Sequence, residues 1–375
     1  MTGHSSAKAL GVAVAARVPV LLWGAPGTGK TSAIRAMASA MGLHCETVIA
    51  SIREPSDFAG LPVIAGDAVP GASGGALPGV HLAPPRWAQR LAETGTGVLF
   101  LDELSTAPPA VQAALLRVVL ERTVGDLALP DDVAVVAAAN PPEQAADGWD
   151  LSAPLANRLC HLSWETTPAS IADGLASGWD APPVPSLPSD WEAGEVAARG
   201  LVAAFLRVRP ALALAPPADA DAAGRGWPSP RTWEMAARLL TAADASGAGE
   251  EVRSALILGA VGEAAGVEFL TWLADMDLPD PEKVLADPAS FTLPERGDRA
   301  YAALASIAAA VATDPTADRW TAAWKVLGDC AETAPDVAAT AAVVLAKCRP
   351  PDLPAGQMPP EIRLFLPLIR DAGLA

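Results

Sequence analysis

Eight residues near the N-terminus carry the clearest chemistry. Gly24-Ala25-Pro26-Gly27-Thr28-Gly29-Lys30-Thr31 satisfies G-x-x-x-x-G-K-(S/T) in full, a pattern whose backbone cradles phosphate oxygens. Glycines let N–H groups close around an anion with no Cβ in the way. A helix starting where the loop ends adds free N–H donors and the positive end of its dipole. Lys30 would reach the β- and γ-phosphates, and the Thr31 hydroxyl would ligate Mg²⁺. The residues expected against the nucleotide are Gly24, Pro26, Gly27, Thr28, Gly29, Lys30, Thr31 and Ser32.

A second constellation ends the apolar run VLFLDE, residues 98 to 103. Two adjacent carboxylates repel each other and resist burial, so a cation or a reacting water belongs beside them. Asp102 fits the Mg²⁺-side carboxylate, and Glu103 fits a general base for the attacking water. A base of this kind means that the γ-phosphate goes to water. Asn140 closes the next apolar run, VAVVAAAN, and is a candidate to hold that water against the phosphate. No N-K-x-D guanine-reading signature accompanies these motifs, which favours ATP over GTP.

These groups need a scaffold that aims strand ends at one crevice. VPVLLW before the glycine loop reads as a buried strand, and TSAIRAMASAM after it as a helix. Residues 6 to 17 read as a preceding helix. ETVIAS, TGVLFLDE and DVAVVAAAN read as further strands, and LSAPLANRLCHLSW as a short helix with a fifth. WAQRLAE and PAVQAALLRVVLER read as helices. Strands alternating with helices predict an α/β fold with a parallel sheet between helical layers. The Gly/Pro-rich stretch 60–86 reads as a long loop or a small hairpin insertion. Beyond about residue 165 the apolar spacing becomes helical. The expected organisation is an α/β core over 1–167, a Pro-rich linker over 168–190, a helical lid over 191–290 and a helical extension over 291–375.

The whole chain adds exclusions. Its 375 residues allow two or three domains. The formal net charge of −17 and the lack of a Lys/Arg cluster argue against nucleic acid as the main partner. No apolar run has the length of a membrane span. A short apolar stretch near the N-terminus leads straight into the first strand, so the expected location is cytoplasmic. Cys45, Cys160, Cys330 and Cys348 lack C-x-x-C spacing and read as reduced thiols. Gly71-Ala72-Ser73-Gly74-Gly75 matches a nucleophile elbow, but its flanks are loop rather than strand and helix. Asp275, Asp277, Asp280 and Glu282 lack the glycine and distal glutamate of a calcium loop and read as a solvated helix end.

Taken together, GAPGTGKT, FLDELSTAPPAVQAALLRVVLER, AAANPPE, PLANRL and WPSPRTWEMAARLL resemble the MoxR-type AAA+ ATPases. The likeness is strong over residues 5–165 and moderate over 225–240. It implies a five-stranded parallel core followed by a helical lid, and a ring, usually a hexamer, with each ATP held between neighbours. It places Asn140 at the sensor-1 position, Arg158 at the arginine finger and Arg231 at sensor 2, as a start-of-lid-helix arginine. The family usually has an aromatic after the finger arginine, where this chain has Leu159. Arg117 and Arg122 are also candidates to face a neighbour. The 60–86 stretch falls where the family carries an insertion, and Phe58 just before it is a candidate substrate-gripping aromatic. The function implied is an ATP-driven, chaperone-like remodelling of a protein partner, with a von Willebrand factor A domain in that partner or a companion. A DNA-linked AAA+ motor, an ATP-gated scaffold with little hydrolysis, and a P-loop kinase stay open as alternatives.

Overall fold

The computed structural model describes residues 3–70, 76–141, 144, 149–179, 182–350, 353 and 358–374. The nucleophile-elbow match at residues 71–75, and Pro142 and Glu143 of AAANPPE, lie outside them.

The chain opens with α1 (Gly3–Ala15), β1 (Val20–Trp23), α2 (Lys30–Ala40), β2 (Cys45–Ile49) and the short α3 (Ser56–Ala59). Next come β3 (Leu61–Pro70), β4 (Ala76–Ala83), α4 (Arg86–Thr94), β5 (Thr96–Asp102) and α5 (Pro109–Glu121). The strands β6 (Thr123–Val124), β7 (Leu127–Ala128) and β8 (Asp132–Ala139) precede α6 (Ala153–Ala156) and β9 (Cys160–Ser163). Five strands form one parallel sheet in the order β2-β5-β8-β1-β9. Such strands are covered on both faces and so need unbroken apolar runs. VLLW in β1 is buried throughout, as is every residue of β8 after Asp132. Trp23 lies level with Ala139, and Ile49 with Asp102. The carboxyl ends therefore share one rim, where doubly wound sheets bind ligands.

Of the two readings of 60–86, the hairpin is the one formed. β3 and β4 pair antiparallel, with Leu61 opposite Ala83 and Ile64 opposite Val80. A second small hairpin, β6–β7, grips its root. The amide of Asp126 donates to Leu82 O at 3.0 Å, and its carboxylate accepts from Leu82 N at 2.7 Å. Gly125 N donates to Phe58 O at 3.2 Å. Phe58 does not face outward as a gripping aromatic would. It is fully buried and packs against Trp87, because α3 turns it toward the α5 face of the sheet.

After β9 come α7 (Pro168–Ser177), α8 (Glu195–Val208), the short α9 (Ala220–Ala223), α10 (Pro230–Ala245), α11 (Glu250–Val261) and α12 (Glu263–Ala274). The chain continues with α13 (Pro281–Ala286), α14 (Gly297–Thr313), α15 (Ala317–Ala331), α16 (Pro335–Lys347) and α17 (Ile362–Asp371). Within the stretch expected as linker, α7 starts on a capping box between Thr167 and Ser170 with Pro168 in its first turn. Two compact units result. One comprises residues 1–187 with 214–266, the other 188–213 with 267–375. The second unit is helical, with a core built on Trp320, Trp324 and Phe365. There Asp280 caps α13 and Glu282 pairs with Arg319, so the acidic run serves a helix end. Among the described residues no helix is long and apolar enough to cross a membrane.

In the first unit, α10 and α11 pack beside α1, and α11 lies on β9. Gly259 makes the last contact possible. A Cβ there would stand 2.4 Å from His161 O and 2.9 Å from Cys160 Sγ. Gly259→Ala should therefore destabilise the fold by about 1–3 kcal/mol through overpacking, against roughly 1 kcal/mol gained in helix propensity. Thermal unfolding checks this. A midpoint at or above that of the parent chain would show that α11 shifts freely.

Candidate nucleotide site

The phosphate loop bridges the end of β1 and the start of α2. Gly27 and Gly29 sit at φ of 78° and 80°, left-handed backbone that favours glycine. Gly24 is needed for another reason, since a Cβ there would meet Trp164 O at 2.5 Å. Trp164 also donates its indole N–H to Thr28 O at 3.1 Å. The loop is thus held from the edge of β9. Sequence reasoning gave Trp164 no role, because the contact exists only once β1 and β9 are neighbours.

Lys30 is folded into the crevice with 8% of its surface exposed. Its ammonium donates to Gly24 O at 2.6 Å, Ala25 O at 3.0 Å and Asn140 Oδ1 at 3.1 Å. Burial pulls its pKa down, and the Asp102 charge opposes that. The Thr31 hydroxyl donates to Asp102 Oδ2 at 2.8 Å, while the other Asp102 oxygen accepts from Glu103 N at 3.0 Å. A hydroxyl and a carboxylate in contact at a phosphate loop are hard oxygen donors suited to Mg²⁺. Glu103 leaves the strand at φ 57°, a strained conformation for a residue with a Cβ, of a kind that clusters at functional sites. Its side chain accepts a hydrogen bond from Ser51 Oγ. Ser51 lies just past β2, and nothing in its sequence context marks it. Ser105 Oγ donates to Asn140 O at 3.3 Å. Lys30, Thr31, Asp102 and Asn140 are thereby joined by direct contacts, with Glu103 next to Asp102.

Arg158 and Arg231 stand elsewhere. β9 runs parallel to β1, with Cys160 level with Val20 and Ser163 level with Trp23. Arg158 precedes the amino end of β9, whereas the phosphate loop leaves the carboxyl end of β1. The Arg158 guanidinium donates to Pro154 O. Burial and then the nearby Arg231 cation lower its pKa. Arg231 reaches Asn157 Oδ1 at 3.5 Å. Leu159, in place of an aromatic, is buried in the core. The other two arginines also differ. Arg122 donates to the carbonyls of Pro130, Asp131 and Val133, which closes the turn after α5. Arg117 pairs with Glu121 along the helix at 3.0 Å.

A chain of ring contacts links the two regions. Arg225 lies 3.8 Å over the Trp23 ring, and His161 lies edge to edge with Trp23, the two rings 14° from parallel with centroids 6.1 Å apart. Trp23 Nε1 donates to His161 Nδ1 at 2.9 Å, so the imidazole proton sits on Nε2, 2.9 Å from Ala156 O. Burial pushes the His161 pKa down to about 4, and the ring is neutral near pH 7.

Residues 20–147 match the family model described as ATPase family associated with various cellular activities (AAA). Two solved structures are similar to the chain at low scores. One is a candidate ATPase from Cytophaga hutchinsonii, with a TM-score of 0.41 and 18% identity over 72% of this chain and 88% of that one. The other is a full-length MCM homologue from Methanopyrus kandleri, with a TM-score of 0.35 and 20% identity over 72% of this chain and 54% of that one. No curated protein matches the chain in sequence. The matched segment contains the glycine loop, Asp102, Glu103 and Asn140, together with four strands of the five-stranded parallel sheet, β9 lying beyond it. It is an AAA-type P-loop domain, and its activity is that of an ATPase.

Proposed function

We propose that the chain is an ATP-driven motor of the MoxR type that remodels a protein partner, working as a ring with each nucleotide held between two subunits. The observation that carries this reading is the position of Arg158. It lies at the end of β9 opposite the rim that holds Lys30, Asp102 and Asn140. A guanidinium so placed is better presented to a neighbour's phosphate than to its own.

Within one subunit, Lys30 would shift its N–H donors from the loop carbonyls to phosphate oxygens. Asn140 and Glu103 would orient the attacking water, and Glu103 would take its proton. Thr31 and Asp102 are the residues that would hold Mg²⁺, which when bound draws charge from the β- and γ-phosphates. Arg158 would stabilise the charge of the transition state on the adjoining subunit. The MoxR resemblance supplies the remaining features: a hexamer, a protein substrate and a partner bearing a von Willebrand factor A domain.

ATP hydrolysis per subunit, measured against protein concentration with Mg²⁺, tests the reading. The expected curve rises steeply and then levels off as sites are completed between chains. A substantial rate that stays flat into the nanomolar range, with a monomer by sizing at those concentrations, would end the shared-site proposal.

A further inference from the structure

We infer that Asn157 is a positioning residue that sets Arg158 and Arg231 as one paired cationic group aimed at a single phosphate. The inference rests on the proposed role of Arg158 at a neighbour's nucleotide.

Asn157 is 2% exposed, so water does not compete for its amide. Nδ2 donates to Trp227 O at 3.0 Å. Oδ1 accepts from Ser229 Oγ at 2.8 Å and from Arg231 Nη1 at 3.5 Å. An amide oxygen has two lone pairs, and both are in use. The amide therefore ties the turn after α6 to the start of α10.

Each side of this tie is fixed by its own backbone. Asn157 N donates to Ala153 O at 3.0 Å, and Arg158 N to Leu155 O at 3.1 Å, which sets where Arg158 leaves the turn. Ser229 and Thr232 form a capping box at the first turn of α10, with Pro230 inside it. Arg231 is the second residue of that helix. Between two turns so fixed, the amide sets the spacing of the backbone positions from which the two guanidiniums extend. Like charges at short range repel. Among the described residues neither guanidinium has a carboxylate partner, Arg158 donating to Pro154 O and Arg231 to Asn157. An arrangement that holds two cations together without a counter-charge is complementary to an oxyanion arriving from outside. Arginine suits that task, because its planar fork matches phosphate oxygens.

Asn157→Ala tests this in the assembled full chain. The amide touches neither Lys30 nor Asp102, so affinity for ATP should hold. Turnover should fall by about 10²-fold, the scale of a misplaced catalytic group. Adding Arg231→Ala to Asn157→Ala should cost less than Arg231→Ala does alone, because the two residues act as a unit.

The decisive readout is mixing. Asn157→Ala subunits keep Glu103, and Glu103→Gln subunits keep well-placed arginines. The mixture should hydrolyse ATP faster than the two separate rates combined. If Arg158→Ala is rescued by Glu103→Gln but Asn157→Ala is not, the positioning role is overturned while the shared site stands. If neither is rescued, the shared-site reading fails and takes this inference with it. Should Asn157→Ala fail to fold, Ser229→Ala carries the same mixing expectation at smaller amplitude, since it removes one hydrogen bond to the hub and one to the helix cap. An unchanged rate in that variant then overturns the proposal.

Discussion

Arg158→Ala should cut ATP turnover by about 10³–10⁵-fold, the range for an arginine that stabilises phosphoryl transfer, while ATP affinity stays near that of the parent chain. The expected split follows from geometry. Affinity would come from the loop amides, Lys30 and the Thr31–Asp102 pair, all at the carboxyl rim of the sheet. Arg158 lies before the other end of β9 and contacts none of them directly. Its charge would meet the γ-phosphate of a neighbour, and mainly when charge builds up during transfer. Phosphate release under saturating ATP, beside equilibrium binding of a labelled nucleotide, measures both halves. A loss of binding equal to the loss of rate would show that Arg158 supports its own crevice instead. Arg117→Ala is the matched comparison. That side chain is paired with Glu121 on an exposed helix face, and its removal should leave turnover within a small factor of the parent.

Glu103→Gln should lower turnover by about 10²–10⁴-fold, the contribution of a positioned general base, and should leave ATP bound. Glutamine keeps the length of the side chain and one oxygen that can accept from Ser51 Oγ. It cannot take a proton from water. The backbone at this position sits at φ 57°, and glutamine, with the same carbon skeleton, meets the same strain there, so the substitution should change chemistry more than shape. Rapid mixing with ATP should show a bound, uncleaved nucleotide that exchanges slowly. A rate close to the parent's would move the base to another group, and the proposed water geometry around Asn140 would go with it.

The groups legible in the sequence are those whose meaning lies in one short segment. The glycine loop sets its own geometry, and Asp102, Glu103 and Asn140 each end an apolar run long enough to read as a strand. The parallel sheet follows from the same runs. Contacts between distant segments are not legible. Ser51 on Glu103, Trp164 on Thr28, and Asn157 on Ser229 depend on which elements become neighbours, and spacing does not encode that. Phe58 shows the same limit from the other side. An aromatic beside a Gly/Pro-rich stretch reads as exposed, yet α3 buries it against Trp87. The strands β6 and β7 have two residues each, too few for any periodicity. The helix α7 is hidden by composition, although its capping box stands in the sequence at Thr167 and Ser170.

The parallel course of β1 and β9 has a consequence for the direction of signalling. Nucleotide would arrive at the tail of one strand, and Arg158 leaves just before the head of the next. A strand of four residues spans roughly 13 Å, so each subunit would take in its signal on one side of the sheet and send it out on the other. Contacts of that kind would join unlike surfaces, head to tail, and give a ring where the rotation between neighbours closes, rather than a two-fold pair. The proposed assembly would then have a built-in sense of rotation. Each hydrolysis event would be answered by the subunit on one side only, and which side is already written in the polarity of β9.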